Sequence, residues 1–513
     1  MTPDIHNLGC VLSADAPRDR LAFIGLDGAL GESNCRYGEL DALADGIARG
    51  LAKRGLRQGD RVALLGYNSV AQIAALLGIM RAGLVAVPVN HRFPKALVDV
   101  VIADSGARLL FCDAAHAEVV QGLSSVSLER GLEGLDGFVD PGPFEAFRPL
   151  ADEPAMMLYT SGSTGRPKGV LLSHAAHLWV VRTRLKATPL ASERALIAAP
   201  LYHMNALALA LLVLASGATA VLLPQFNAAH YIEAIQRYRC TWLTAVPPMI
   251  AMMLREQALL DRADLSSVRV VRMGSAPVSA SLLQQIHRLL PNARVINAYG
   301  TTEGGPVVFG PHPQGLASPP LSVGYAHPDV QLRLRDENGA LAEQGVLELK
   351  SPGLMNGYHN RPDLTAPFTA DGFYVTGDVF RRDAQGFHTF VGRRDDMFVS
   401  GGENIYPGEV EKLLERHPAV QQACVVPVED DIKGYKPVAF VVLREGAEAS
   451  EEAIKAFSLE HAPAYQHPRR VWFVDALPLA STNKIDRKAL LDEALRHLQG
   501  RGRTTGAPGS THS

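Results

Sequence analysis

The sequence has little of what marks secreted, metal-cluster or nucleic-acid-binding proteins. Its five cysteines are far apart and form no C-x-x-C pair: Cys10, Cys35, Cys112, Cys240 and Cys424. This spacing argues against a disulfide framework and a thiolate metal cluster, and it fits a reducing cytoplasm, which is the localisation we expect. No run of lysine and arginine occurs before the last few residues, so nothing indicates a nucleic-acid partner. The amino-terminal residues carry acids and proline where a secretory leader has basic and then apolar residues, so no signal peptide is predicted.

The chain is long and nearly balanced in charge. It has 513 residues, of which 47% are hydrophobic and 20% charged, and its formal net charge is −3. One hydrophobic core seldom extends over so long a chain, so at least two domains are expected. One apolar stretch, Ala206 to Pro224, is nearly long enough to span a bilayer. Because Ser216-Gly217 interrupts it and its second half is strand-like, we predict a buried helix followed by a buried strand, and no membrane span.

Apolar runs alternate with helix-like segments over the first part of the chain. Val62–Leu65 and Val85–Val89 predict strands on either side of a helix at Val70–Met80. Three later apolar runs each end in a loop of small or polar residues: Trp242–Val246, Val268–Met273 and Val295–Ala298. This alternation predicts an α/β fold with a mostly parallel sheet. Ligands bind beyond the carboxyl ends of parallel strands, so these loops are expected at the edge of one site.

The pattern changes after Gly324, where short strands separated by turns predict a small β-rich subdomain. A compact α+β segment is predicted from Asp395 to His497. Residues 498–513 are rich in glycine, threonine, serine and proline and are expected to form a disordered tail. The expected division is a large N-terminal domain over residues 1–394, a small C-terminal domain over residues 395–497, and the tail.

The segment from Leu158 to Val170 carries the most information about function. It reads Leu-Tyr-Thr-Ser-Gly-Ser-Thr-Gly-Arg-Pro-Lys-Gly-Val and follows an apolar run typical of a buried strand. Glycines let the backbone approach a ligand, while hydroxyl groups and one ammonium can surround an anion. The residues that supply these groups are Thr160, Ser161, Gly162, Ser163, Thr164, Gly165 and Lys168. It is not a Walker A loop, because Pro167 precedes the lysine and Gly169 follows it. A flexible Ser/Gly linker, the alternative, requires neither Pro-Lys-Gly nor a strand leading into it.

This segment closely resembles the phosphate-binding signature of the adenylate-forming superfamily, which includes acyl-CoA synthetases, free-standing adenylation domains and firefly-type luciferases. Five further segments resemble that family's motifs in the same order. The resemblance implies that a carboxylate attacks the α-phosphorus of ATP to give acyl-AMP and pyrophosphate, and that the thiol of coenzyme A then displaces AMP. It also implies Mg²⁺ as cofactor, a large domain of layered, mostly parallel sheets with a small β-rich subdomain, and a mobile α+β C-terminal domain.

Tyr299-Gly300-Thr301-Thr302-Glu303 resembles the family's adenine and magnesium segment. By that resemblance Tyr299 stacks on the base, Thr302 contacts the α-phosphate as a catalytic residue, and Glu303 holds Mg²⁺ together with Thr160. The other nucleotide contacts implied are Ser275, Ala276, Pro277, Asn297, Gly300 and Thr301. Without the resemblance, this pattern indicates only a turn at the end of a strand.

Tyr374-Val375-Thr376-Gly377-Asp378 resembles the segment whose acid accepts hydrogen bonds from both ribose hydroxyls. The resemblance gives that role to Asp378 and an assisting role to Arg393. A β-turn at Gly377-Asp378 is predicted as well, and it is compatible with the role.

The segment from Gly392 to Pro407 resembles the boundary between the family's two domains. The resemblance makes Asp395 the hinge and implies that Ser400, Gly401, Gly402 and Glu403 contact coenzyme A. A plain hairpin turn at the double glycine is the alternative.

Lys484 lies in Ser481–Arg487, which resembles the segment whose lysine bonds the substrate carboxylate and the α-phosphate in the first step. As an isolated loop lysine it would more often be solvated surface. Two positions depart from the family pattern. Asn483 stands where Gly is usual, and Gln466 stands where Lys is common, which leaves one contact to coenzyme A in doubt.

Pro200-Leu201-Tyr202-His203-Met204-Asn205 resembles the segment that carries the gate near the substrate carboxylate. His203 would be that gate. The alternative is a structural histidine whose ring only finds hydrogen-bond partners at the start of a helix. The acyl pocket implied consists of His203, Met204, Asn205, Val246, Gly274, Gly300 and Gly305. No aspartate occurs between Pro200 and Leu209, which argues against amino acid substrates. We expect a short or branched acid, with or without a hydroxyl group, or an aryl acid. A medium- or long-chain fatty acid would need a tunnel at Gly274 or Gly305.

Three other activities fit the same motifs. The enzyme could load a carrier protein in place of free coenzyme A, or it could carry out a luciferase-like oxygenation after the shared first step. A silent nucleotide-binding protein is the third, but it would be expected to lose Lys484, Glu303 or Lys168, and all three are present. The expected partners are a small carboxylic acid, ATP and coenzyme A, and the expected assembly is a monomer or homodimer.

Overall fold

Strands and helices alternate from Leu21 to Asn297, as the apolar pattern predicts. The computed structural model describes residues 5–26, 31–128, 135–161, 167–188, 190–276, 278–361, 367–400, 403–430, 434–480 and 484–500. The strands of this first part are β1 Leu21–Leu26, β2 Glu32–Arg36, β3 Arg61–Leu65, β4 Val85–Val89, β5 Leu109–Cys112, β6 Ser125–Ser127, β7 Pro154–Ser161, β8 Pro167–Ser173, β9 Arg194–Ile197, β10 Thr219–Leu222, β11 Trp242–Ala245, β12 Val270–Met273 and β13 Arg294–Asn297. Its helices are α1 Tyr37–Lys53, α2 Val70–Arg81, α3 Lys95–Ser105, α4 His174–Ala187, α5 Met204–Ser216, α6 Ala228–Tyr238, α7 Pro247–Met253, α8 Gln257–Leu260 and α9 Ala280–Leu289.

The first sheet has the strand order β13-β12-β11-β9-β10-β1-β2, and its pairs are parallel apart from β1 with β2. The parallel arrangement brings the carboxyl ends of β11, β12 and β13 to one edge. The loops that begin at Val246, Gly274 and Ala298 therefore start side by side, as the sequence predicts.

The second sheet is built around parallel strands and carries the Ser/Gly-rich segment. Its order is β18-β8-β7-β4-β3-β5-β6, where β18 is the short strand Gly357–Tyr358. Strands β7 and β8 form an antiparallel hairpin in which Thr160 pairs with Lys168. Every residue of α2 is buried, as expected for a helix that is apolar on all sides.

The second part of the chain begins with an antiparallel sheet. Its strands are β14 Phe309–Gly310, β15 Ser322–Ala326, β16 Gln331–Arg335, β17 Gln344–Lys350, β19 Tyr374–Arg382 and β20 Phe387–Arg393. The predicted turn at Gly377-Asp378 is wrong, because both residues lie inside β19. Gly377 has a positive φ of 75°, and the register of β17 against β19 shifts between Val346 and Glu348. The glycine therefore makes a bulge within the strand, which a local turn signal does not distinguish from a loop.

The C-terminal segment has its own hydrophobic clusters. Its elements are β21 Phe398–Ser400, β22 Glu403–Ile405, α10 Pro407–Leu414, β23 Val420–Asp430, β24 Gly434–Leu443, α11 Glu451–His461, β25 Val471–Phe473 and α12 Arg487–Gly500. Two clusters of buried residues, one around Ile405 and one around Phe440, are built from residues that follow Asp395. Helix α12 continues to Gly500, so the first three residues that we assigned to the tail are helical; residues 501–513 lie outside the described part.

The α/β fold class is confirmed. The apolar stretch after Ala206 is the helix α5 followed by the strand β10, with a left-handed Gly217 between them at a φ of 66°. Across the described ranges, none of the helices has both the length and the apolar composition that crossing a membrane requires.

Candidate functional site

A cleft of about 1030 Å³ opens where the loops after β11, β12 and β13 meet the antiparallel sheet and the C-terminal segment. The β7–β8 hairpin contributes Thr160 and Lys168 to its wall. Three predicted site residues from distant parts of the sequence, Glu303, Asp378 and Lys484, line the same cleft. The predicted loop residues Gly162, Ser163, Thr164 and Gly165 lie outside the described residues. Ser161 ends β7, and its side chain also lies outside the described part.

Glu303 is held by two hydroxyl groups of the second sheet. The phenol of Tyr358 donates a hydrogen bond of 3.0 Å to Glu303 Oε1, and the hydroxyl of Thr160 donates to the same oxygen over 3.5 Å. Burial and the charge of Glu303 raise the pKa of Tyr358, so the phenol stays protonated and remains a donor. Lys168 Nζ lies 5.4 Å from the centroid of the Tyr358 ring. The site thus combines a carboxylate, a hydroxyl group and an ammonium at one wall of the cleft.

Asp378 is a buried carboxylate with two partners. Tyr299 donates to its Oδ2 over 2.5 Å, and Arg393 Nε lies 3.1 Å from its Oδ1. Burial raises the pKa of Asp378, while Arg393 and Tyr299 act in the opposite direction. Tyr299 itself packs edge-on against Phe380, with ring centroids 4.8 Å apart. The two groups that the resemblance gives to ribose binding are therefore in contact.

Lys484 enters the cleft from the C-terminal segment. Lys484 keeps part of its surface in contact with solvent, and its backbone oxygen accepts a hydrogen bond of 2.7 Å from the Ala480 N–H. Desolvation by the walls of the cleft lowers the pKa of its ammonium, and the carboxylates of Asp378 and Glu303 oppose that change. The lysine is thus within electrostatic reach of both carboxylates.

His203 immediately precedes α5 and lines the cleft. Its ring packs edge-on against Tyr202, with centroids 4.6 Å apart. Burial lowers the pKa of His203 to about 3, and the charge of Lys484 adds to the shift, so the imidazole is neutral at physiological pH. In the described structure its side chain does not cap the helix. A role at the helix start therefore does not account for this histidine.

Two glycines of the predicted acyl pocket line the cleft. At Gly300 an added Cβ would lie 2.8 Å from both the Gly305 oxygen and the Pro306 Cα, so a larger residue would force the backbone apart. Gly274 also lines the cleft, together with Met204, Asn205 and Val246. Gly305 does not belong to the lining, contrary to the prediction; it lies behind Gly300, and its own Cβ position is 2.7 Å from the Gly353 oxygen.

The remaining predicted nucleotide residues line the cleft with one exception. Ser275 has a positive φ of 67° and stands there with Ala276, Asn297, Thr301 and Thr302. The Asn297 amide donates to the Leu321 oxygen over 2.9 Å, so it fastens the wall of the cleft to the loop before β15. Pro277 lies outside the described residues.

The predicted hinge and coenzyme A residues lie apart from one another. Asp395 occupies the turn between β20 and β21, 3.9 Å from Arg393 Nη2 and 3.7 Å from Arg394 Nε, and it lines the cleft. Ser400 and Glu403 pair with each other in the β21–β22 hairpin and do not line the cleft. Gly401 and Gly402 lie outside the described residues.

Tyr358, Arg184 and Arg272 are among the cleft residues that sequence reasoning missed. Tyr358 gave no local signal, because it reaches Glu303 only through the pairing of β18 with β8. Arg184 and Arg272 also line the cleft. Arg272 stands inside the predicted strand Val268–Met273 and Arg184 near the end of a helix, and only the absence of a nearby acid in the sequence could have drawn attention to them.

Comparisons with known proteins identify the family. The model of the AMP-binding enzyme family matches residues 12–359, and that of the AMP-binding enzyme C-terminal domain matches residues 409–484. The chain is 36% identical over 454 residues to a feruloyl-CoA synthase of Amycolatopsis sp, covering 88% of this chain and 92% of the relative. It is 33% identical over 501 residues to 4-coumarate–CoA ligase 5 of Oryza sativa subsp. japonica, covering 92% and 91%. A solved anthranilate CoA ligase in complex with anthranoyl-AMP is similar at a TM-score of 0.87 and 25% identity, covering 97% of this chain and 99% of that one.

Proposed function

The chain belongs to the AMP-binding enzyme family, and we propose that it is an ATP-dependent ligase that joins an aryl carboxylic acid to coenzyme A. The observation that carries the proposal is the meeting of Lys484, Glu303 and Asp378 in one cleft. These groups come from three separate parts of the sequence, and each has the chemistry that its family motif requires. A volume of about 1030 Å³ accommodates a nucleotide together with a compact acid.

In the first step an oxygen of the substrate carboxylate attacks the α-phosphorus of ATP, and the bond to pyrophosphate breaks. Negative charge grows on the phosphate oxygens, so the enzyme acts mainly by positioning and by electrostatic stabilisation. The ammonium of Lys484 and the hydroxyl of Thr302 stabilise that charge. Lys168 and the segment that follows Thr160 bind the departing pyrophosphate, and Asp378 with Arg393 fixes the ribose.

The residues around Glu303 fit a magnesium ion. Its carboxylate and the Thr160 hydroxyl are oxygen ligands of the kind that Mg²⁺ prefers, and the ion when bound would neutralise charge on the phosphates of ATP. Among the described residues there is no group of three or more His, Cys, Asp or Glu side chains that could hold a metal ion. The other ligands would therefore be water and phosphate oxygens, as is usual for this ion.

His203 acts as a neutral gate beside the reacting carboxylate. A protonated imidazole would pair with the substrate carboxylate and hold it away from the phosphorus. Because burial keeps the pKa of His203 at about 3, the ring stays uncharged and excludes water without binding the carboxylate as an ion pair.

In the second step the thiolate of coenzyme A attacks the acyl carbon, and AMP leaves. Lys484 occupies the cleft in this structure, whereas Ser400 and Glu403 stand outside it. The two steps therefore need two positions of the C-terminal segment, with the turn at Asp395 as the pivot. The position of Lys484 in the cleft supports the first step as the one that this arrangement serves.

An aryl acid is the substrate class that the relatives favour. Ferulate and 4-coumarate, for which the two relatives are named, are aryl acids, and so is the anthranilate of the solved ligase. Gly274 and Gly300 line the cleft and carry no side chain, so an acid bound there can approach their backbone.

The test is acid-dependent release of pyrophosphate, followed by detection of the thioester, with purified full-length protein. The acids are aryl acids with and without a second carboxylate, branched and hydroxy acids, and straight chains from acetate to palmitate, each with and without coenzyme A. Turnover of aryl acids to thioesters is expected. Adenylate formation that coenzyme A does not consume would favour a carrier protein as acceptor, and preference for straight chains would overturn the aryl assignment. Pyrophosphate release by none of these acids would overturn the proposed activity.

A further inference from the structure

Two arginines face the acyl side of the cleft. Arg184 comes from the last turn of α4, and Arg272 comes from β12, directly before the loop that starts at Gly274. Arg272 Nη1 lies 3.3 Å from Asn205 Oδ1. Asn205 follows the gate His203 by two residues, so Arg272 belongs to the acid-binding end of the cleft, and Arg184 lines the same cleft close enough to feel the charge of Arg272.

Neither guanidinium has a carboxylate partner within the described part of the chain. The two acids closest to the chemistry are engaged elsewhere, Glu303 with Tyr358 and Asp378 with Arg393. Burial lowers the pKa of Arg272 to about 10 and lowers that of Arg184, to which the charge of Arg272 contributes. With a pKa near 10, Arg272 remains a cation at neutral pH.

Two other arginines of this molecule, one buried and one partly buried, contact their own acids. Arg81 contacts Asp41 at 2.7 Å and Asp45 at 2.6 Å, and Arg487 contacts Glu411 at 2.5 Å. A poorly solvated cation without a partner is destabilising, as is the loss of one partner from a buried ion pair. A purely structural pair of arginines would therefore be expected to carry an acid, as these two do.

The Asn205 amide adds an unused donor at the same place. Its Nδ2 is buried and, among the described residues, has no hydrogen-bond partner. Its oxygen is the atom that faces Arg272. Two guanidinium groups and one amide N–H thus remain available to an acceptor at this end of the cleft.

We propose that Arg184, Arg272 and the Asn205 amide bind a second carboxylate of the substrate, so that the enzyme activates an aryl acid carrying two carboxylates. This inference rests on the proposed function. One carboxylate reacts at the α-phosphorus beside Lys484, and the other pairs with the guanidinium groups at the opposite end of the acid. Guanidinium groups suit a carboxylate because their planar N–H donors match its two oxygens. An acid without the second charge would leave the two cations unpaired, which makes the subsite selective.

The test compares two stable acyl-adenylate analogues, the sulfamoyladenosines of 4-carboxycinnamate and of 4-methylcinnamate, by calorimetry on the full-length protein. The same pair built on phenylacetate varies the length of the acid. Wild-type protein is expected to bind one or both carboxylated analogues at least roughly 30-fold more tightly than their methyl counterparts, since truncating a buried charge pair costs that much or more. Arg272→Met and Arg184→Met should each bring the affinities for the carboxylated and methyl analogues close to each other. The affinity for the methyl analogues should stay equal to that of wild type or rise.

The control is Lys186→Met, which removes a cation from an exposed position on the same helix, outside the cleft. It should leave the affinities for all analogues unchanged. Equal affinity of wild-type protein for the carboxylated and methyl members of both pairs would overturn the inference while the proposed function stands. Equal losses for both members in the arginine variants would also overturn it, because that result indicates a structural role. Binding of none of the analogues would overturn the proposed function and this inference together.

Discussion

The phenol of Tyr299 donates a hydrogen bond of 2.5 Å to the carboxylate of Asp378. The bond joins the loop after β13, in the parallel sheet, to β19 of the antiparallel sheet. It therefore couples the two predicted binding elements for adenine and ribose through one contact. A buried carboxylate that keeps a phenol and a guanidinium as partners can remain ionised, although burial alone favours its protonated form.

Tyr299→Phe should move the acidic limb of the pH profile for ATP use to higher pH. The phenol is one of the groups that lower the pKa of Asp378 against the effect of burial, so its removal lets the pKa rise further. Ribose binding needs the ionised carboxylate, and it is lost as the pH falls through that pKa. The measurement is kcat/KM for ATP between pH 5 and 9, where the variant should approach wild type at the alkaline end. Parallel profiles with an unchanged limb would show that the hydrogen bond does not set the ionisation of Asp378.

Tyr358→Phe should raise the magnesium concentration needed for adenylate formation. The phenol fixes Glu303 Oε1 by a hydrogen bond of 3.0 Å, and loss of such an outer partner typically weakens metal binding by roughly tenfold or more. The half-saturating Mg²⁺ concentration is measured at saturating ATP and acid. Tyr435→Phe serves as control, because Tyr435 is 41% exposed and lies in the C-terminal segment away from the cleft. An unchanged magnesium requirement in Tyr358→Phe would contradict the assignment of Glu303 as metal ligand.

The sequence predicts those parts of the site that follow directly from strand order. Val246, Gly274 and Ala298 stand at neighbouring strand ends, and the rule that parallel strands share a carboxyl edge was sufficient to bring their loops together. The family motifs then supplied Glu303, Asp378 and Lys484, which line the same cleft. These predictions needed only local patterns and the parallel topology.

Other contacts depend on pairings between distant residues, which local patterns do not encode. Tyr358 reaches Glu303 because β18 pairs with β8 at the end of the second sheet, where Tyr358 lies opposite Val170. Gly377 looked like a turn, since a positive φ in a strand bulge has the same residue preference as a turn. Arg272 shows no periodic or motif signal, and its position in the acyl end follows from the register of β12 against β11 and β13.

Lys484→Ala should separate the two half-reactions. Removal of the ammonium withdraws charge stabilisation from the first step, where loss of one such donor typically costs about 10²-fold or more in rate. The second step, from preformed acyl-AMP, should stay within a few-fold of wild type, because the thiol attacks a carbon that the lysine no longer needs to polarise. Both rates are measured in single-turnover experiments with and without preformed adenylate.

The matched control is Lys488→Ala, an exposed lysine four residues further along that does not line the cleft. It should retain both rates. If Lys484→Ala slowed both half-reactions to the same extent, the lysine would not have the role in adenylation that its position supports.

Asp395→Pro should slow thioester formation and spare adenylate formation, the reverse of Lys484→Ala. Proline restricts its own φ and the conformation of the residue before it. Within the described residues the backbone N–H of Asp395 makes no backbone hydrogen bond, so the substitution need not disrupt the turn itself. Adenylate formation should persist, since Lys484 already lies in the cleft. Thioester formation from preformed acyl-AMP should fall by about tenfold or more if the C-terminal segment must rotate to admit the thiol.

Asp395→Ala removes the same contacts to Arg393 and Arg394 but leaves the backbone free, so it should keep both steps. A proline variant that forms thioester at the wild-type rate would show that the second step needs no pivot at this residue, and coenzyme A would then have to enter the cleft with Lys484 in place.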